Sequence, residues 1–260
     1  MAHLKDHKLW QIYKDWQENY RWVDLTHPLS PKTPHWVGWD ILQIQEQMNL
    51  DESIFAAHLY TVTGQYGTHV DAPNHMVKNA RALHEITVEE MVYPLCVIDC
   101  SLQVAENPDF ILTVADIQKW ENMHGPIPKG AFVVFQSNWS KRPAEEMDNL
   151  DADGNRHFPG WQLEAVKFLV EERNIGGIGH ETSDTDSPLT SKETNYAVEH
   201  YILSQNRIQV ELLTNIDACP PTGALIFCTF PKVKNGTGFP CRAFAPVSYT
   251  HLRAHETDQY

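Results

Sequence analysis

No stretch of this chain approaches the roughly 20 consecutive apolar residues that a helix needs to cross a bilayer. The N-terminal run Met1-Ala2-His3-Leu4-Lys5-Asp6-His7-Lys8 lacks the apolar core of a secretory signal, so a cytoplasmic protein without membrane association is expected. Positive charge is scarce: 20 Lys and Arg against 34 Asp and Glu give a formal net charge of −14. That balance leaves no basic footprint for a duplex and excludes nucleic acid as the main partner. The five cysteines (Cys96, Cys100, Cys219, Cys228 and Cys241) form no CxxC pair. Cys96 and Cys100 flank one short strand-like run, a poor geometry for a disulfide, which points to free thiols in a reducing compartment. Also missing are a G-x-S-x-G elbow, a phosphate-binding glycine loop and an HExxH helix. No internal repeat or composition break divides the 260 residues, so one domain is expected.

What is present is ordinary globular composition, 42% apolar and 21% charged, with 16 prolines and 13 glycines that argue against a helical bundle. Leu9, Ile12, Tyr13 and Trp16 have helical spacing, predicting an amphipathic helix from Leu4 to about Asn19 that docks onto the domain. Strands are predicted at Ala57–Thr63 (half-buried), Leu95–Asp99, Ala131–Phe135, Ile175–Gly179, Ile208–Leu213, Leu225–Phe230 and Ala243–Pro246. Helices are predicted from the Thr113-x-x-Asp116 start to Gly125, from Trp161 to Glu172, and from Asn195 to Ser204. Alternating strands and helices without sustained hairpins favour an α/β domain, a mixed β-sheet flanked by helices. Val247–Tyr260 shows neither apolar period nor turn logic. The domain is therefore expected to span 1–246 and residues 247–260 to be a tail, disordered or artefactual, whose His251 and His255 are set aside.

Histidine is the unusual component, 14 in all, several beside carboxylates. The densest group is Gly64-Gln65-Tyr66-Gly67-Thr68-His69-Val70-Asp71-Ala72-Pro73-Asn74-His75. His69 and Asp71 are two apart, so on an extended chain they share a face and can bind a divalent cation such as zinc or manganese. Gly67 permits a tight backbone beside them, and Pro73 stops ladder pairing just beyond. His75 falls on the irregular segment that follows, a placement suited to a general base or acid.

This segment resembles the hallmark HxGTHxDxPxH of the metal-dependent cyclase family, which includes bacterial-type kynurenine formamidases and isatin hydrolases. Gly67-Thr68-His69, Asp71, Pro73 and His75 stand in register with it. Asp24-Leu25-Thr26-His27-Pro28 is similar to the family's opening DLTHP strand. His180-Glu181-Thr182-Ser183-Asp184-Thr185-Asp186 and Glu211-Leu212-Leu213-Thr214-Asn215 continue the likeness, which covers residues 22 to 246. The resemblance implies a cyclase-like swivelling β/β/α fold, His69 and Asp71 as metal ligands and His75 as the proton-transfer residue. It also implies a small amide substrate, N-formylated or cyclic, and a dimer or tetramer. Two positions depart from the pattern. Gln65 replaces the motif's first histidine; its carbonyl oxygen can ligate but is harder and neutral, favouring manganese or a single metal. The family's later histidine and glutamate match His200 and Glu211 with a spacing one residue short, and His180 competes for that histidine role.

Alternation in Ile208-Gln209-Val210-Glu211-Leu212 sends Glu211 to the face opposite Ile208, Val210 and Leu212, as a solvated edge residue or a deliberate ligand. Failing ligation, Glu211 could orient His75 or the water and so count as catalytic. Asp184 and Asp186 either orient a histidine or form the turn at Pro188. Asp151-Ala152-Asp153-Gly154-Asn155 opens like a calcium loop but carries Arg156 and Gln162 at the decisive positions, and reads as a polar turn. Trp22, Trp36, Trp39 and Trp139 are candidates for an aromatic pocket wall. The expected activity is C–N hydrolysis by a cation-activated water, the cofactor being Mn2+ or Zn2+. The rival is a non-catalytic, metal-stabilised small-ligand-binding protein. A third reading, with Cys96 or Cys241 as nucleophile, requires a reactive thiol.

Overall fold

The computed structural model describes residues 7–249. Its first strands are β1 (Tyr20–Asp24), β2 (Gln43–Met48), β3 (Ala57–Thr61), β4 (His69–Asp71), β5 (Val92–Asp99) and β6 (Ile111–Leu112). Then follow β7 (Phe132–Gln136), β8 (Gly160–Trp161), β9 (Gly177–His180), β10 (Ile208–Glu211), β11 (Ala224–Thr229), β12 (Gly238–Pro240) and β13 (Arg242–Ser248). The helices are α1 (Lys8–Asn19), α2 (Ser101–Glu106), α3 (Val114–His124), α4 (Leu163–Glu171), α5 (Pro188–Thr194) and α6 (Ala197–Ser204). Nine strands form one mixed sheet in the order β1-β13-β11-β5-β7-β9-β10-β4-β12.

β5, β7, β9 and β10 run parallel. Parallel strands are covered on both faces, which is why Leu95-Cys96-Val97-Ile98 and Phe132-Val133-Val134-Phe135 are apolar without a break. The pleat sorts them. Cys96, Ile98, Val133, Phe135 and Ile178 face Ile117 and Trp120 of α3, Val166 and Leu169 of α4, and Val198 and Ile202 of α6. Leu95, Val97, Phe132, Val134 and Val210 point the other way and meet Val23, Val70, Ile226, Ala243 and Ala245. Residues from both ends of the sheet can join one cluster only if the sheet curls on itself. The result is an α/β domain with a curled mixed sheet and helices outside, as the sequence implies. The Thr113/Asp116 capping box opens α3, and Gly125, at φ 86°, closes it.

Departures are local. α1 forms, but its apolar stripe does not dock: none of its residues is buried, and Leu9 is 78% exposed. Trp16 touches the body, edge-on to Trp22 and Phe227. Ala57–Thr61 is half of an exposed two-stranded ribbon with β2, a hairpin that the sequence reading did not expect. The 246 boundary falls inside β13, where Val247 is buried opposite Arg21. Residues 1–6 and 250–260, with His251 and His255, lie outside the described residues. No helix among the described residues is long and apolar enough to cross a membrane.

Candidate active site

β4 lies between β10 and β12, and its antiparallel register sets Glu211 opposite His69 and Gln209 opposite Asp71. Facing residues of a pleated pair project to the same side, so these four side chains converge. Gly67, at φ 64°, turns its carbonyl to accept the His69 Nδ1 hydrogen at 2.8 Å. That leaves Nε2 3.5 Å from both Asp71 Oδ2 and Glu211 Oε2. Gly238 closes the floor with plain backbone, since a Cβ there would meet Gln65 Nε2 at 2.4 Å and Asp71 Oδ1 at 2.8 Å. Thr68 accepts the His27 N–H at 3.0 Å and donates to the Leu212 carbonyl at 2.6 Å, tying β4 to the end of β10. Leu212 itself sits at φ 52°, a strained conformation for leucine.

His75 ends a 3₁₀ turn begun by Pro73. Gln65 donates its amide hydrogen toward His75 Nδ1 (3.3 Å) and to Thr237 (3.2 Å). His75 Nε2 then lies 3.5 Å from Glu199 Oε1. His180 is buried behind Glu211: Trp161 Nε1–H donates to its Nδ1 at 3.4 Å, so its Nε2 hydrogen faces Glu211 Oε1 at 3.3 Å. This arrangement makes His180 a partner of the Glu211 carboxylate. His200 is not brought to the site at all. α6 turns Val198, Glu199, Ile202 and Leu203 inward and leaves His200 exposed, so the helix presents Glu199 where His200 was expected. Glu211 stands among the possible ligand atoms beside His69 rather than beside His75.

Two central residues escaped the sequence reading. Gln209 is fully buried, and its Nε2 lies within 3.2 Å of Asp71 Oδ2, Glu199 Oε1 and Glu211 Oε1, while Oε1 accepts from Thr185. Glu199 is the second. Both signals were present: the alternation that turned Glu211 inward also turns Gln209, and the apolar pair Val198 and Ile202 defines an inward face that includes Glu199.

The electrostatics are those of a site short of cations. Burial works against the His69 imidazolium, but the Asp71 and Glu211 carboxylates outweigh it and raise its pKa to about 9. Burial would lift Asp71 too, yet adjacent His69 holds it below the usual carboxylate range. Glu199 is pushed well up by burial and then by the charges of Glu211 and Asp71. Asp184 is pushed up by burial and Glu211 despite its ion pair with Arg156. Among the described residues no lysine or arginine pairs with Asp71, Glu199 or Glu211. Asp71 Oδ1 is buried with no hydrogen-bond partner. Ligand atoms of His69, Asp71 and Glu211 lie within 4.8 Å of one another, as do those of Asp71, His75 and Glu199. An imidazole nitrogen among carboxylate oxygens, one of them orphaned, fits a divalent cation.

Above this floor opens a cavity of ≈ 300 Å³ walled by Trp36, Trp39, Met76 and Tyr196. Trp36 and Trp39 pack with ring centroids 4.9 Å apart. Trp22 lies on the outer surface against Trp16, and Trp139 sits in the helical-side core. Neither Cys96 nor Cys241 lines this cavity; both are buried, which pushes Cys96 up to about 12 and raises Cys241 as well, against the reading of either as a nucleophile. Asp186 accepts the N–H groups of Val198 and Glu199 and so fixes the start of α6, while Asp184 lines the cavity.

The chain has known relatives in sequence and in fold. The isatin hydrolase of Roseibium aggregatum is 31% identical over 246 residues, covering 86% of this chain and 91% of its own. The kynurenine formamidase of Salinibacter ruber is 24% identical over 229 residues, covering 85% and 95%. Isatin hydrolase A from Labrenzia aggregata, solved with benzyl benzoate, superposes with a TM-score of 0.87 at 36% identity over 93% of this chain and 100% of its own. The Cyclase family matches residues 23–187, from the end of β1 to the turn before α5. That span holds His69, Asp71 and His75 on the strand and turn described above, and the chain belongs to the Cyclase family.

Proposed function

We propose that this protein is a metal-dependent amidohydrolase that cleaves the C–N bond of a small aryl amide, cyclic like isatin or N-formylated like N-formylkynurenine. His69 Nε2, Asp71 and Glu211 would hold the cation, manganese or zinc, with Gln65 at the edge of the set. A divalent ion held there would supply Lewis acidity, making water easier to deprotonate and the amide carbonyl more electrophilic. His75 and Glu199 are the proton-transfer unit. The proton released by the attacking water is held between His75 Nε2 and Glu199 Oε1 and delivered to the amide nitrogen as its bond to the carbonyl carbon breaks. The products are the carboxylic acid and the amine, joined in one molecule if the amide was cyclic. Trp36 and Trp39 stack against the aryl group and exclude bulk water, while Gln209 and His180 keep the carboxylates aimed. The relatives named isatin hydrolase and kynurenine formamidase support this reading against a binding-only role, as does a cavity open to substrate above the ligand cluster. A cytoplasmic dimer or tetramer belongs to the same reading.

One observation carries it: the orphaned Asp71 Oδ1 beside His69 and Glu211, at the base of a tryptophan-walled cavity. The test is elemental analysis of the purified protein with assays on isatin and N-formylkynurenine, before and after chelation and readdition of Mn2+ or Zn2+. Activity that falls and returns with the metal supports the assignment. A protein that neither contains nor takes up either ion overturns it.

A further inference from the structure

A second cavity, of ≈ 230 Å³, opens where the chain enters β7, β9 and β10, at the ends opposite His180 and Glu211. In an acidic protein its lining is basic: Arg81, Lys129 and Arg207 stand around it with Glu90 as the one carboxylate. Glu90 is taken, accepting from Arg81 Nη1 at 2.7 Å. Arg207 gives Nη2 to the neutral Asn174 at 2.7 Å. Neither Arg207 nor Lys129 enters an ion pair among the described residues. The Nε–H groups of both arginines are buried without a hydrogen-bond partner. Two guanidinium groups and an ammonium without an ion pair around one cavity offer more donors than the protein's own acceptors take up.

We propose that this cavity binds a small oxyanion, phosphate or carboxylate, with Arg81 and Arg207 as the N–H donors and Lys129 as the charge at the rim. Guanidinium groups suit that ligand because they offer charge and directed hydrogens together. The volume admits the oxyanion with a body of a few carbons. The two arginines come from segments that lead into the candidate active site. The Arg81 carbonyl accepts the N–H of Asn74, the residue before His75, at 3.1 Å, and Arg207 stands two residues before Gln209 on the way into β10. An anion bridging them pins the His75 turn to the start of β10.

Isothermal titration of the metal-loaded protein with inorganic phosphate and with acetate, at fixed ionic strength, tests this directly. Saturable binding is expected, with a melting midpoint that rises with anion concentration. R207Q and K129Q should each weaken it about tenfold or more. Tighter phosphate marks a phosphoryl ligand and tighter acetate a carboxylate. Absence of saturable binding by either anion overturns the proposal. So does binding of wild-type strength in both variants, which would place the anion elsewhere, the metal centre included. If circular dichroism shows R207Q unfolded, K129Q, altered at an exposed side chain, decides alone.

Discussion

His75 and Glu199 face each other from a turn and a helix, and the proposed mechanism gives them the proton while His69, Asp71 and Glu211 hold the metal. His75→Ala is expected to lower kcat by about 10²- to 10⁴-fold with bound metal unchanged, read by elemental analysis beside the assay. Loss of the metal together with activity would make His75 a ligand. Gln209→Leu removes the amide hydrogens shared among Asp71, Glu199 and Glu211, and metal affinity should fall roughly 10- to 100-fold. His69 gives the pH dependence. In the metal-free protein its pKa is about 9, above the unfolded value near 6.5, so its contribution to stability is full below about 6.5 and is lost as pH rises through 9. The cation needs the neutral imidazole, so its affinity should run the other way, rising about tenfold per unit between pH 6 and 8, measured by competition with a chelator. Much of this site was legible residue by residue, because His69, Asp71 and His75 sit within one short segment. Glu199 was not, since the adjacent His200 is chemically more conspicuous and only the helix phase reveals which of the two turns inward.

At the scale of elements, β4 is three residues long and depends on its neighbours for its position. Thr68 is the clamp. Thr68→Val leaves the Leu212 carbonyl and the His27 N–H without their partner and should cost about 1–3 kcal/mol, measured by urea unfolding. The long parallel strands were legible because burial on both faces makes them apolar without interruption, and α3 announced itself through Thr113 and Asp116. β12 was not, because the Gly238 and Pro240 that flank Phe239 disfavour a strand, which forms here by pairing with β4. β2 was missed for the related reason that all six of its residues are exposed and no buried face imposes an apolar pattern.

For the whole molecule, the exposed ribbon poses a physical problem. A two-stranded ribbon is marginal in water unless something covers it, yet the segment joining these two strands exposes Ile54 at 95% and Leu50 at 71%. Self-association through this arm is the expected remedy. Ile44 and Tyr60 face each other across the ribbon; the wild type is expected to sediment as the proposed dimer or tetramer, and the variant with both replaced by Asp as a monomer. At the other edge Val247 belongs to the concave core, so truncation after Pro246 should lower the melting temperature, contrary to what the bare sequence of the tail suggests. The tryptophan pair at the cavity wall has a last consequence. Two indoles whose centroids lie 4.9 Å apart are close enough for their electronic transitions to couple. Whatever enters between them and the floor of carboxylates and imidazoles will therefore announce itself in near-ultraviolet dichroism and emission, giving the protein an unlabelled optical gauge of occupancy.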